Sequence, residues 1–256
     1  MNIIVTGSSG FIGKHLVEFI KKKHRVFLCD RKQNMDIMMI SKYGLQHFDC
    51  VVHLAAQTSV WNENLRSVVN DNITNFVYLY ELCRDTKTKL IYASSSCSIN
   101  VTSIYGLSKQ FADTLVGLYP IDDCVGLRFH NVYGPNPRID TLFAKCLRNE
   151  KFTLYNNGQN LRHFTYIEDV CKAVEKAINL PSGLYNVLNP EMNSCLEFVN
   201  EVRKYRNFEF DLSSEIRPRD KEFQTVDPTL ENLLQGEYTT LFGGMKKIFN
   251  GNGNCL

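Results

Sequence analysis

The segment "NIIVTGSSGFIGKHLVEFIKKK", residues 2–23, constrains this chain more than any other. A short apolar run ends at glycines 7, 10 and 13, and an amphipathic run follows at once. The first run reads as a buried strand, and the second, with apolar residues at three- and four-residue intervals, reads as a helix. Glycine permits the tight turn between them and lets backbone come close to a phosphate. The helix start then offers unpaired N–H groups and a positive dipole end to a pyrophosphate.

The alternation continues. "RVFLCD" (25–30), "CVVHLAA" (50–56), "KLIYAS" (89–94) and "CVGLRF" (124–129) read as strands. Between them, 65–85 and 105–119 carry helical periodicity. Strands buried on both faces and separated by helices imply a parallel sheet with crossover helices. Past residue 134 the alternation loosens. Helices are expected at 139–149, 167–180 and 194–205 and near "LFGGMKKIFN", a turn at 157–163 and a strand at 183–189.

The second strand ends in Asp30, twenty residues beyond Gly10. A carboxylate there accepts ribose hydroxyls and repels a 2′-phosphate. Arg31 follows and would favour that phosphate, so the reading is NAD over NADP.

Lys+Arg number 29 against Asp+Glu 27, so no general attraction to nucleic acid or membrane is expected, and an anionic ligand needs a local site. The opening lacks the form of a signal peptide, and no apolar run is long enough to span a bilayer. The nine cysteines (29, 50, 83, 97, 124, 146, 171, 195, 255) show no C-x-x-C spacing. Reduced thiols in a cytoplasmic protein, with no metal site, are the expectation.

In "SSSCSINVTSIYGLSK" (94–109), Tyr105 and Lys109 are four apart and share a helix face. A nearby ammonium favours the phenolate, giving a base that can take a proton from a sugar or alcohol hydroxyl. The serines just upstream can hold the same oxygen.

Taken together, these segments resemble the extended short-chain dehydrogenase/reductases, the nucleotide-sugar epimerase/dehydratase family. "TGSSGFIG" is similar to its fingerprint, "VVHLAAQ" (51–57) to its fourth-strand motif, and "NDNITN" to its helix-four segment with Asn72. "IYASSS" and "YGLSK" resemble its catalytic segment, and "LRFHNVYGP" (127–135) and "NLRHFTYIEDV" (160–170) its substrate-side motifs. "NMDIM" (34–38) resembles its third-strand segment.

The resemblance implies a Rossmann-type, doubly wound parallel α/β sheet with a small C-terminal α/β substrate-binding region. It divides the chain into a dinucleotide-binding domain (1–133, 164–189) and a substrate-binding domain (134–163, 190–256). It implies Tyr105 as acid/base, Lys109 as its electrostatic helper and ribose ligand, and Ser96 as partner of the substrate hydroxyl. Cofactor contacts are implied at Gly7, Gly10, Phe11, Ile12, Gly13, Asp30, Asp36, Ile37, Leu54, Ala55 and Ala56, with Tyr105 and Lys109. Asn131 and Arg162 are implied on the sugar nucleotide. "RPRDKEFQTVD" implies Arg217 on phosphate and Asp220 on ribose, with Asp227 completing the segment. Gln224 falls near the gate for the sugar C2 substituent. The partners implied are a UDP-linked sugar and a second copy of the chain, paired through the helices at 65–85 and 105–119.

One departure stands out. Ser96 and Tyr105 are only nine positions apart, where the family has a much longer loop. Nine residues still span about 30 Å when extended, so the two can converge. A more open sugar end is expected. The family's 4,6-dehydratases carry Asp-Glu after the catalytic hydroxyl residue; Cys97 and Ser98 stand there, which disfavours elimination of water. Cys97 reads as a small buried residue, His130 as a packed histidine, His163 as solvent-facing, and Trp61 as packing. The activity implied is an NAD-dependent UDP-hexose 4-epimerase working through a transient 4-keto sugar. A 4-ketosugar reductase or dehydrogenase is the alternative, and an inactive nucleotide-binding regulator the third reading.

Overall fold

The computed structural model describes residues 1–217, 219–220 and 222–251. The elements run β1 (Asn2–Thr6), α1 (Phe11–Ile20), β2 (Arg25–Cys29), α2 (Lys42–Leu45), β3 (Cys50–His53), α3 (Leu65–Val68), α4 (Asn75–Thr86), β4 (Lys89–Ser95), α5 (Ile104–Leu118) and β5 (Cys124–Phe129). They continue with β6 (Val132–Tyr133), α6 (Leu142–Leu147), β7 (Phe152–Leu154), β8 (Leu161–Arg162), β9 (Thr165–Tyr166) and α7 (Ile167–Ala177). The last are β10 (Gly183–Val187), β11 (Asn193–Ser194), α8 (Cys195–Arg203), β12 (Phe210–Leu212) and α9 (Leu241–Asn250).

The chain forms two compact units. The first comprises Met1–Phe129, Cys171–Asn186 and Val226–Glu231; the second comprises His130–Val170, Val187–Thr225 and the chain from Asn232 onward. In the first unit a six-stranded sheet has the order β10-β5-β4-β3-β1-β2. β1 pairs in parallel with β2 and β3, and β4 with β3 and β5. The order reverses at β1, so the ends of β1 and β3 open a crevice, the usual ligand position in open α/β sheets. Ile3, Val5, Val51, Val52, Leu90 and Val125 are fully buried. Each such side chain contributes about 1.5–3 kcal/mol relative to exposure.

Two expectations need correction. "NMDIM" is not a strand: 3-10 turns occupy Arg31–Gln33 and Ile37–Met39, and β2 is the sheet edge. Asp30 and Asp36 each turn their carboxylate back onto a nearby backbone N–H, which favours tight turns over extension. The helix expected over 65–85 is interrupted by a π-helical segment, Val69–Thr74.

Among the described residues, the second unit holds three two-stranded pairs, β11-β8, β12-β7 and β6-β9. Its core is aromatic: Phe164 stacks on Phe198 with centroids 4.1 Å apart, and Phe143 meets Phe198 edge-on. α8 starts with a full capping box between Ser194 and Glu197. Among the described residues, no helix is long and apolar enough to cross a membrane, and no acidic, His or Cys cluster could hold a metal ion. Cys255 lies outside the described residues; the other eight cysteines are free thiols.

Candidate active site

Gly7 ends β1 at φ +68°, and a Cβ there would come within 2.7 Å of the Ala55 nitrogen. A Cβ on Gly13 would reach 2.2 Å from the Gly7 carbonyl oxygen. Only glycine allows the turn, the start of α1 and the chain after β3 to come this close. Gly10 caps α1 with no side chain on the first turn's N–H groups, and no acid sits in that turn. Phe11 and Ile12, in the first turn of α1, therefore present donors to an anion. Leu54 and Ala55 are tied to β1 through Thr6, whose carbonyl and hydroxyl oxygens accept their N–H groups.

Beside this turn lies a cavity of about 300 Å³ lined by Gly7, Asp30, Arg31, Lys32, Asp36, Ile37, Ala55, Ala56, Gln57 and Asp71, with Cys29, Met35 and Asn75. Gly10, Phe11, Ile12, Gly13, Leu54, Tyr105 and Lys109 are not among its lining residues. Asp30 accepts from Ser9 N at 3.0 Å and from Lys32 N at 2.9 Å, tying the end of β2 to the glycine turn. The residues fit the adenosine half of a dinucleotide: a glycine cradle, a helix start without acids, and a carboxylate at the end of β2. Arg31 is bound by Asp36 through Nε and by Asp71 through Nη1, the latter at 2.8 Å.

The Ser, Tyr and Lys all sit in the first unit. β4 ends in buried Ser94 and Ser95, and Ser96 opens a 3-10 turn, Ser96–Ser98. Ser103 caps α5 by accepting from Gly106 N at 3.1 Å. A Cβ on Gly106 would meet the Cys97 carbonyl oxygen at 2.6 Å, so the short serine turn lies directly against the first turn of α5. Lys109 is buried; its Nζ donates to the Ala93 carbonyl at 2.7 Å and lies 5.9 Å from the Tyr105 ring centroid. Burial draws the Lys109 ammonium down to about 8, while Asp113 pulls it the other way. Asn72 braces the same helix: its amide donates to the Gln57 carbonyl and to Ser108 Oγ, which donates to the Tyr105 carbonyl.

Sequence reasoning missed Asp113. It accepts from Ser94 and Ser98 hydroxyls at 2.9 Å, from Tyr92 at 3.1 Å, and from Arg128. The signal was present, since Tyr105, Lys109 and Asp113 repeat at four-residue spacing on α5. Asp71 and Gln57, which contact each other at 2.8 Å, were also missed. Both lie inside quoted segments, Gln57 in "VVHLAAQ" and Asp71 in "NDNITN", but neither was singled out.

The second unit gathers the expected substrate residues. Arg162 is buried and donates to Asp220 at 2.7 Å; Arg217 donates to the other oxygen of Asp220 at 2.9 Å and lies over the Tyr155 ring. Both arginines therefore converge on one carboxylate. Gln224 donates to Asn131 Oδ1 and accepts from His163 N, joining Asn131 to the strand that carries Arg162. Asp227 belongs instead to the first unit, where it binds Arg128 at 3.0 Å.

Three minor expectations fare differently. His130 is packed, as expected, against His163. His163 does not face solvent: it is buried with Nδ1 at 2.7 Å from the Asn189 carbonyl. Cys97 is only partly buried, and Trp61 is 45% exposed.

Protein CapI of Staphylococcus aureus is 27% identical over 325 aligned positions covering 97% of each chain. That span exceeds the 256 residues of this chain, which therefore carries internal deletions relative to CapI. The Bacillus subtilis protein named uncharacterized UDP-glucose epimerase YtcB is 28% identical over 79% of this chain and 81% of its own. The crystal structure of UDP-glucuronic acid 4-epimerase from Bacillus cereus, in complex with UDP-glucuronic acid and NAD, is similar with a TM-score of 0.83 at 25% identity, covering 98% of both chains. The profile of the NAD dependent epimerase/dehydratase family matches residues 3–187. The glycine cradle, the acid closing β2 and the Tyr–Lys pair on α5 lie within that match, and the chain belongs to the NAD dependent epimerase/dehydratase family.

Proposed function

We propose that this protein is an NAD-dependent 4-epimerase of a UDP-linked hexose or hexuronate. The observation that carries the reading is Lys109, buried and fixed on the Ala93 carbonyl, with its ammonium 5.9 Å from the Tyr105 ring. An ammonium so placed favours the phenolate of its neighbour, and a phenolate is a competent base for a sugar hydroxyl. Ser96 holds the C4 hydroxyl oxygen while Tyr105 Oη takes its proton, and Tyr105 later returns that proton to the same oxygen. NAD, when bound, supplies the hydride acceptor that makes the 4-keto sugar possible and gives the hydride back. The first unit holds the dinucleotide through the Gly7–Gly13 turn, Asp30, Asp36, Ile37, Ala55 and Ala56.

In the second unit Arg162 and Arg217 meet the pyrophosphate, Asp220 the uridine ribose, and Asn131 the sugar side. Guanidinium pairs suit diphosphate oxygens. Ser98 is spent on Asp113, so the place where a dehydratase needs an acid carries none. The same reading includes a homodimer through α3, α4 and α5, whose exposed apolar side chains include Leu65, Leu107 and Leu118. It also includes a cytoplasmic site of action, where free thiols persist.

The test is direct. Cofactor released from purified protein by denaturation is identified. The protein is then incubated with UDP-glucose, UDP-galactose, UDP-glucuronate and the N-acetyl sugars, with products read by mass spectrometry and NMR. Bound NAD and a C4 epimer of unchanged mass are expected. A product 18 mass units lighter would establish a dehydratase, and consumption of added NADH on 4-keto sugars alone would establish a reductase.

A further inference from the structure

The residue after Asp30 presents a problem of charge. An arginine directly after the carboxylate that closes β2 is well placed to grip a 2′-phosphate, through the forked geometry that guanidinium offers to phosphate. Arg31 is not free to do so. Asp36 takes its Nε, and Asp71 takes its Nη1 at 2.8 Å. Each carboxylate is itself held: Asp36 Oδ1 accepts from Met38 N at 2.9 Å, and Asp71 Oδ2 accepts from Gln57 Nε2 at 2.8 Å. The three acids and both bases of this end, Asp30, Asp36, Asp71, Arg31 and Lys32, line the same cavity. With all five ionised, the lining carries one net negative charge.

We propose that Asp71, together with Asp36, determines dinucleotide choice by holding Arg31 away from phosphate duty, so that the cavity accepts a ribose hydroxyl and excludes NADP. The proposal rests on the cavity being the adenosine site. It assigns the discrimination to a clamp built across the sequence. A 2′-phosphate must compete with two carboxylates already on Arg31 and add its own charge of about −1.5 to −2 to a cavity that is negative before it arrives. Asp71 lies in the π-helical segment Val69–Thr74, far along the chain from Arg31, so the clamp exists only in the folded protein. It is a positioning residue, acting on the ligand through Arg31.

The experiment is isothermal titration of the full-length, cofactor-stripped protein with NAD and with NADP separately. The variants are Asp71→Asn, Asp36→Asn, the double variant, and each of these with Arg31→Ala. Removing one carboxylate brings the lining from one net negative charge to neutral and releases one guanidinium N–H, and the ratio Kd(NADP)/Kd(NAD) is expected to fall about tenfold for each carboxylate removed. Arg31→Ala should cancel the gain in every background. Asp36→Asn tests the same clamp without touching the π-helical segment, should Asp71→Asn fold poorly. An unchanged ratio in variants that still bind NAD, or a gain that survives Arg31→Ala, overturns the proposal. Wild-type protein that binds neither dinucleotide overturns instead the reading of the cavity as a dinucleotide site.

Discussion

Ser98 donates its hydroxyl to Asp113 at 2.9 Å, and this contact ties the serine turn after β4 to the middle of the helix that carries Tyr105 and Lys109. Asp113 also accepts from Ser94 and pairs with part-buried Arg128. A short connection between Ser96 and Tyr105 needs such an anchor, because no long loop packs over it.

Replacing Asp113 by Asn should therefore loosen the turn. It leaves Arg128 with Asp227 alone and removes one side of a part-buried ion pair, at a cost of about 2 kcal/mol. Denaturant unfolding measures that loss. Kinetics separate it from a catalytic effect. Asp113 raises the Lys109 ammonium, so the alkaline limb of kcat/KM should move to lower pH in the variant. An unmoved limb would leave Asp113 a purely structural residue.

Lys109 itself makes activity and stability diverge with pH. Its ammonium is drawn by burial from the usual 10.5 to about 8. Turnover should decline as pH rises through about 8, because the charge beside Tyr105 is lost. The folded state binds fewer protons than the unfolded state between about 8 and 10.5, so stability at this site increases over the same window. The measurement is a paired pH series of kcat/KM and thermal midpoint, with Lys109→Met abolishing both dependences.

His53 acts at the other end of the scale. It is buried at the end of β3 with Nδ1 at 2.8 Å from the Thr6 hydroxyl, and burial pushes it from 6.5 down to about 3. The unfolded chain takes up a proton there that the folded chain refuses. The contribution is full above 6.5 and is lost as pH falls toward 3. At pH 5 the loss is about 2 kcal/mol. His53→Gln should flatten the fall in unfolding free energy between about pH 7 and pH 5; an equally steep fall in the variant would move the cause elsewhere.

Gly106 is the contact that a single methyl would break. Its Cβ would sit 2.6 Å from the Cys97 carbonyl, which is backbone and cannot swing away. Gly106→Ala should cost about 1–3 kcal/mol and lower kcat more than it raises KM, since it shifts Ser96 against Tyr105. Wild-type unfolding and kinetics in that variant would show that the turn has room to spare.

Much of this was legible in the sequence. The glycine spacing, Asp30 and the Tyr105–Lys109 interval are local, and local geometry is what sequence encodes most directly: a turn, a strand end and one helix face. The apolar runs likewise fixed where the sheet strands fall, since parallel strands are buried on both sides. What sequence did not contain were relations between segments distant along the chain. The third-strand reading of "NMDIM" failed because Asp30 and Asp36 cap tight turns, and the sheet closes at β2 without that segment. The Arg31–Asp71 clamp, the Asp113–Arg128 pair and the Arg162–Asp220 pair all join charges from separate segments of the chain. Either partner, read alone, is an ordinary solvated side chain. Folding brings them within hydrogen-bond distance, and only then do their charges select one another.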